Sequence, residues 1–180
     1  MKPTTLAALA VLIGTSAHLG IASAQQTTAP APLEQLGYFV GDGTCTGHVI
    51  ATGKTPARAT TARFHGEKTL DGNWVAIHYD EDQTAANPKP YRVVQYFGYD
   101  AAKKQYTSVT FDNSGSGYST GTSSGWKDDT FTVDETTSMR GGSVSFRDVF
   151  TKSGSGMASH TGMMRDKHGK WVKTDEETCH

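Results

Sequence analysis

Apolar and polar residues alternate along most of this chain. Trp74, Ala76, His78 and Asp80 fall on one face of a two-residue period, and Val75, Ile77 and Tyr79 on the other. Val144, Phe146, Asp148 and Phe150 share a face in the same way. A period of two is the signature of a strand. Ten segments carry strand signals, near 42–51, 59–70, 73–80, 91–99, 105–112, 117–126, 130–136, 143–152, 157–165 and 171–179. Polar turns punctuate them. Asp71-Gly72 is a hairpin dipeptide that calls for positive φ. Asp100 to Lys104, Lys127 to Asp129, Arg140 to Gly142 and Lys167 to Lys170 are short polar turns, and Asn87 to Pro90 is a longer, stiffer loop. Only residues 33–40 (LEQLGYFV) place apolar side chains close enough for one or two helical turns, ending at Gly41.

Many strands joined by tight turns predict an all-β, antiparallel up-and-down meander. Ten twisted strands in one open sheet leave exposed edges, and closing the sheet into a barrel removes them. An apolar wall around a partly polar lumen accounts for the mixed alternation. Cys45 lies in the first strand and Cys179 in the last. Closure makes those strands neighbours, so a disulfide is expected there; the alternative is two free thiols. The chain-entropy model gives about 4–5 kcal/mol for a loop of that span, as an upper figure.

The start of the chain reads as an address. Lys2, the apolar run Leu6 to Gly14 and the Ala22-Ser23-Ala24 site form a secretory signal peptide over 1–24, cut before Gln25. An uncleaved anchor is the alternative, and the run is shorter than a bilayer needs. Residues 25–32 (QQTTAPAP) form a flexible leader, and 33–180 a single domain. Export to the periplasm or beyond permits a disulfide. Seventeen Lys and Arg stand against 18 Asp and Glu; without Lys2 the balance is 16 − 18 = −2. That charge gives no electrostatic reason to expect nucleic acid. No apolar stretch beyond the leader suits an integral membrane helix. Two cysteines cannot make a four-cysteine zinc site.

Three short motifs carry little. Gly121-Thr-Ser-Ser-Gly125 matches G-x-S-x-G, but a hydrolase elbow needs a helix next, and a polar turn and strand follow. Gly41 to Gly47 lacks phosphate-loop spacing, and His65-Gly66-Glu67 lacks the cysteine half of a zinc deaminase. His78 to Asp82 sets an imidazole beside carboxylates, yet a strand sends neighbours to opposite faces, so no metal site is expected. The lumen candidates say more. Asp148 sits on an apolar face, Gln95 sits between Val93 and Phe97, and His160 is in register with Ala158, Gly162 and Met164. Arg63, Arg92, Arg147 and Arg165 are available as partners. Buried polar groups of this kind form either a satisfied internal network or the orienting groups of a ligand pocket. The candidate ligand-binding set is Gln95, Arg147, Asp148, His160 and Arg165; no catalytic residue is assigned.

Tyr96 to Asp112 (YFGYDAAKKQYTSVTFD), residues 33–43 (LEQLGYFVGDG) and 166–177 (DKHGKWVKTDEE) together resemble a bacterial secreted family, domain of unknown function 1579. Phe39 stands where that family often has Trp. The resemblance implies a calycin-like barrel, similar in shape to lipocalins, fatty-acid-binding proteins and nitrobindins, and no established activity. Nitrobindin-like relatives hold haem through a histidine on the last strand. Here 171–179 has none, with His168 in the preceding turn and His180 at the terminus, so no cofactor is expected.

The function expected is binding of a small, partly apolar molecule in the lumen without catalysis. The alternatives are a small-substrate enzyme using Asp148 and His160 as an acid–base pair, and an envelope protein with a filled barrel that acts through its surface. A lumen above ~300 Å³ separates the first from the last. An Asp148–His160 contact within ~3.2 Å, open to substrate, is the geometric requirement of the enzyme.

Overall fold

The computed structural model describes residues 31–180 apart from 54, 116, 140, 141, 154 and 155. The signal-peptide reading, the leader up to residue 30 and most of the Arg140-Gly-Gly142 turn lie outside the described residues. A short helix, α1 (Ala31–Glu34), runs into a 3₁₀ turn (Gln35–Phe39). The strands follow: β1 (Gly41–Val49), β2 (Arg58–Thr69), β3 (Trp74–Glu81), β4 (Arg92–Asp100), β5 (Gln105–Asp112), β6 (Tyr118–Ser123), β7 (Trp126–Lys127), β8 (Thr130–Met139), β9 (Gly142–Ser153), β10 (Gly156–Arg165) and β11 (Trp171–Cys179). Every pairing is antiparallel, and β1 joins β11 while β6 joins β8. The result is a closed up-and-down barrel of ten strands, with the two-residue β7 as an appendage of β8.

Two local readings change. The predicted strand 117–126 is split into β6 and β7 at Ser124-Gly125. Gly125 has φ +95°, and a Cβ there would come 2.8 Å from the Tyr106 ring, so the chain bends where only glycine fits. The Asp71-Gly72 hairpin is wider than a two-residue turn. Leu70, Asp71 and Gly72 all have positive φ, at 50°, 58° and 80°, and Asn73 completes the loop. Leu70 therefore leaves β2 and is exposed.

The N-terminal segment plugs one end of the barrel. Leu33, Leu36 and Phe39 are buried among Val75, Phe97, Tyr106, Phe131 and Val133. Phe39 stacks on Phe97 at 5.5 Å and on Trp126 at 5.8 Å, and meets Phe131 and Phe150 edge-on at 5.6 and 5.0 Å. Polar ends anchor the plug. Tyr106 Oη donates to Pro32 O at 2.7 Å, and Trp126 Nε1 donates to Gln35 O at 3.0 Å. Aromatic burial of this density supplies much of the core's stabilisation. The β1–β11 seam is covalent: Cys45 and Cys179 are direct register partners, their Cα atoms 3.9 Å apart, joined by a disulfide.

Candidate functional site

Strand direction sorts the inward residues into layers. The plug meets the start of β1, so Phe97, Phe131 and Phe150 lie at its level, and the ends of β3 and β5 form the opposite rim. Above the Phe39 floor the barrel encloses a cavity of about 630 Å³. Ile77, Val93, Phe146 and Phe150 supply apolar wall, and hydroxyl-bearing side chains and six carboxylates supply most of the polar lining.

The middle layer holds a continuous polar chain. Glu135, on β8 after the inward Phe131 and Val133, is only 5 % exposed. Its Oε1 accepts from Ser108 Oγ at 2.7 Å, Thr110 Oγ1 at 2.9 Å and Gln95 Nε2 at 3.1 Å. The same Gln95 nitrogen reaches Asp148 Oδ2 at 3.4 Å. Asp148 Oδ1 is 3.1 Å from His160 Nε2, and His160 Nδ1 is 3.4 Å from Asp175 Oδ2. Thr174 Oγ1 donates to the other Asp175 oxygen at 2.9 Å.

Burial and neighbours set the charges. Burial raises the Glu135 pKa first, the Asp148 carboxylate raises it further, and the three donors offset part of the rise. Burial alone lowers the His160 pKa, but its bonds to Asp148 and Asp175 outweigh that and lift it to about 10. Asp175 is the mirror case: burial raises its pKa, and His160, with the Thr174 hydroxyl and the Gly162 backbone, more than reverses this, leaving it below the usual carboxylate value.

A second cluster occupies the wall made by β2, β3 and β11. Glu177 Oε1 accepts from Thr60 Oγ1 at 2.8 Å and from Tyr79 Oη at 2.5 Å. Burial and the Glu177 charge push the Tyr79 phenol well above its ordinary pKa. At the rim Arg58 Nη2 bonds both oxygens of buried Glu81, at 2.8 and 2.9 Å. Asn87 Nδ2 and the Tyr91 N–H add donors at 2.7 and 2.9 Å, which ties the 82–91 loop to the rim.

Of the sequence candidates, the structure brings Gln95, Asp148 and His160 together on the cavity wall. Arg147 and Arg165 are not among the lining residues. They stack on Trp171, at 4.5 and 4.6 Å from the ring centroid, and Arg147 also pairs with Asp134 at 2.6 Å. Arg92 lies 3.5 Å from Asp80, again away from the cavity lining. In β3, Tyr79 and Glu81 face inward while His78 faces Glu67 at 3.9 Å. Sequence reasoning missed Glu135, Asp175, Glu177 and Glu81. Each continues an inward parity already marked by apolar residues: Phe131 and Val133 before Glu135, Ile77 and Tyr79 before Glu81, and Cys179 after Asp175 and Glu177.

The chain matches the family described as "Protein of unknown function (DUF1579)" over residues 30–179. No curated protein matches the chain.

Proposed function

The chain belongs to the DUF1579 family, and from its interior we propose that it binds a small, partly apolar molecule in the barrel lumen without transforming it. The observation that carries this reading is the 630 Å³ cavity, about twice the ~300 Å³ at which ligand pockets begin. Its floor and part of its wall are aromatic and aliphatic, and its polar groups converge from nine strands. A barrel built only as a rigid surface gains stability by filling such a space.

The His160–Asp148 distance of 3.1 Å meets the geometric requirement of an acid–base pair. The chemistry does not follow, because both ring nitrogens face carboxylates and the proton is held to about pH 10. A general base works best with a pKa near the operating pH. His160 is better suited to hold two strands and two carboxylates in place. Gln95 and Asp148 remain in the proposed binding set with Glu135. Export through the signal peptide of residues 1–24 is part of the same proposal, and the Cys45–Cys179 disulfide is compatible with an oxidising compartment. No helix of the described residues is long and apolar enough to cross a membrane.

The test is native mass spectrometry of protein purified from its own cells without unfolding, followed by a thermal-shift screen. A small molecule released on denaturation, and raising Tm when added back, is the expected result. Repeated isolation of empty protein that no compound stabilises overturns the proposal.

A further inference from the structure

The lumen is charged in one direction. Six carboxylates line it: Glu81, Asp112, Glu135, Asp148, Asp175 and Glu177. Two cationic side chains line it with them, Arg58 and His160, and both are already paired. Arg58 is held by Glu81 at 2.8 Å, and His160 by Asp148 and Asp175. Glu135 has neutral donors only, as do Asp112 and Glu177, and of these three it alone shares a donor with a second carboxylate. Among the described residues all three of its hydrogen bonds go to Oε1, and its Oε2 receives none. Glu135 is buried and lines the cavity. The amide of Gln95 bridges Glu135 and Asp148 through one nitrogen. That amide satisfies hydrogen bonds without neutralising charge, so two carboxylates repel across a neutral donor.

Resting on the lumenal-binding reading, we infer that the ligand is an organic cation, its protonated amine seated against Glu135 and Asp148 beside the Gln95 amide that links them, and its apolar body against Phe146, Phe150 and Ile77. An ammonium carries three donors and a full charge, which a pair of carboxylates linked by a neutral amide lacks. An anionic ligand meets six carboxylates against two cations that are already paired. A bare metal ion fits less well, because no set of three His, Cys, Asp or Glu side chains converges on a common point among the described residues. The apolar floor has no use for a metal ion and suits a hydrocarbon or ring. Burial of a charged ligand head beside Glu135 resembles a buried ion pair, which is favourable when its remaining donors and acceptors are satisfied.

The experiment uses two matched probe sets at pH 7.5: tryptamine, tryptophol and indole-3-acetate, and octylamine, octanol and octanoate. Isothermal titration of the folded, disulfide-intact protein gives each affinity. The amine of at least one set binds ~10-fold or more tighter than its alcohol, in keeping with a charged hydrogen bond, and the acid binds weakest. Glu135→Gln brings the amine-to-alcohol ratio to about 1. Nuclear Overhauser contacts from the amine's α-methylene to the Gln95 side-chain amide place the head without any variant. An alcohol or acid that binds as tightly as the amine sinks cation selection and leaves lumenal binding standing. An amine preference that survives Glu135→Gln, with no contact to Gln95, sinks the assigned seat. Failure of all six probes counts against cation selection and the lumenal reading alike, and a molecule co-purifying with the native protein then separates them.

Discussion

Gly66 and Phe39 are in backbone contact that leaves no room for a side chain: a Cβ on Gly66 would overlap the carbonyl oxygen of Phe39. Gly66 is the inward position of β2 after Thr60, Ala62 and Phe64, and it pairs with Gly41 and Ile77. The plug enters β1 through that gap. The obstructing atom is backbone, which cannot swing aside as a flexible side chain can. Gly66→Ala is expected to destabilise the fold by about 1–3 kcal/mol, the range for overpacking a tight site. Urea unfolding measures the loss, and an unchanged midpoint shows that the plug can shift at no cost.

The Cys45–Cys179 bridge closes a separation of 134 residues. The β1–β11 ladder from Cys45↔Cys179 to Val49↔Asp175 remains when the bond is gone, so the reduced barrel should still fold. Replacing both cysteines with alanine is expected to cost about 2–5 kcal/mol. The difference is read from denaturant midpoints, and faster amide exchange should concentrate in β1 and β11. Equal stability with and without the bond means the register alone holds the seam.

His160 predicts a pH profile. Its pKa rises on folding from 6.5 to about 10, so the stability it contributes is full below about pH 6.5 and disappears as pH climbs towards 10. Glu135, also raised, weakens the fold in the same direction from a lower pH, above its ordinary 4.5. Asp175, lowered, acts oppositely: its contribution holds above the ordinary 3.8 and is lost as the medium turns more acid. His160→Gln leaves Asp148 and Asp175 facing each other without a cation. It is expected to cost about 3–5 kcal/mol at pH 6 and to flatten the alkaline decline. Ring-proton chemical shifts check the assignment directly, since the imidazole should stay protonated through pH 8.

Arg58 and Glu81 predict a rim that fails locally. Glu81 is 7 % exposed, and removing the guanidinium leaves its charge with the Asn87 amide and the Tyr91 N–H alone. Arg58→Ala should cost about 3 kcal/mol, the low end for breaking a buried pair. Residues 82–91 should then become the first site of limited proteolysis. Proteolysis that begins elsewhere shows that the loop is held by other contacts.

The layout of the lumen was partly legible in the residues. The alternation that turns Asp148 inward turns Arg147 outward, so grouping Arg147 with the lumen conflicts with the period itself. Arg165 is different. A register shift between Gly162 and Met163 lets Met163 and Met164 both line the cavity, and simple alternation cannot be counted through such a bulge. Glu135 and Glu177 followed the same inward parity as Gln95, and a carboxylate on an apolar face is the signal that finds them.

Strand number, closure, the seam between residues 45 and 179 and the inward placement of Gln95, Asp148 and His160 came from the order of residues alone. They depend on a two-residue period and on turns, which are local, and on the need to remove sheet edges. Only the tertiary structure decided that Glu135 faces Asp148 across one amide, that His160 joins two carboxylates, and that 630 Å³ stays open above Phe39. Those relations join strands far apart in the chain. They follow from the barrel's circumference, its register and the depth of the plug, which no local period encodes.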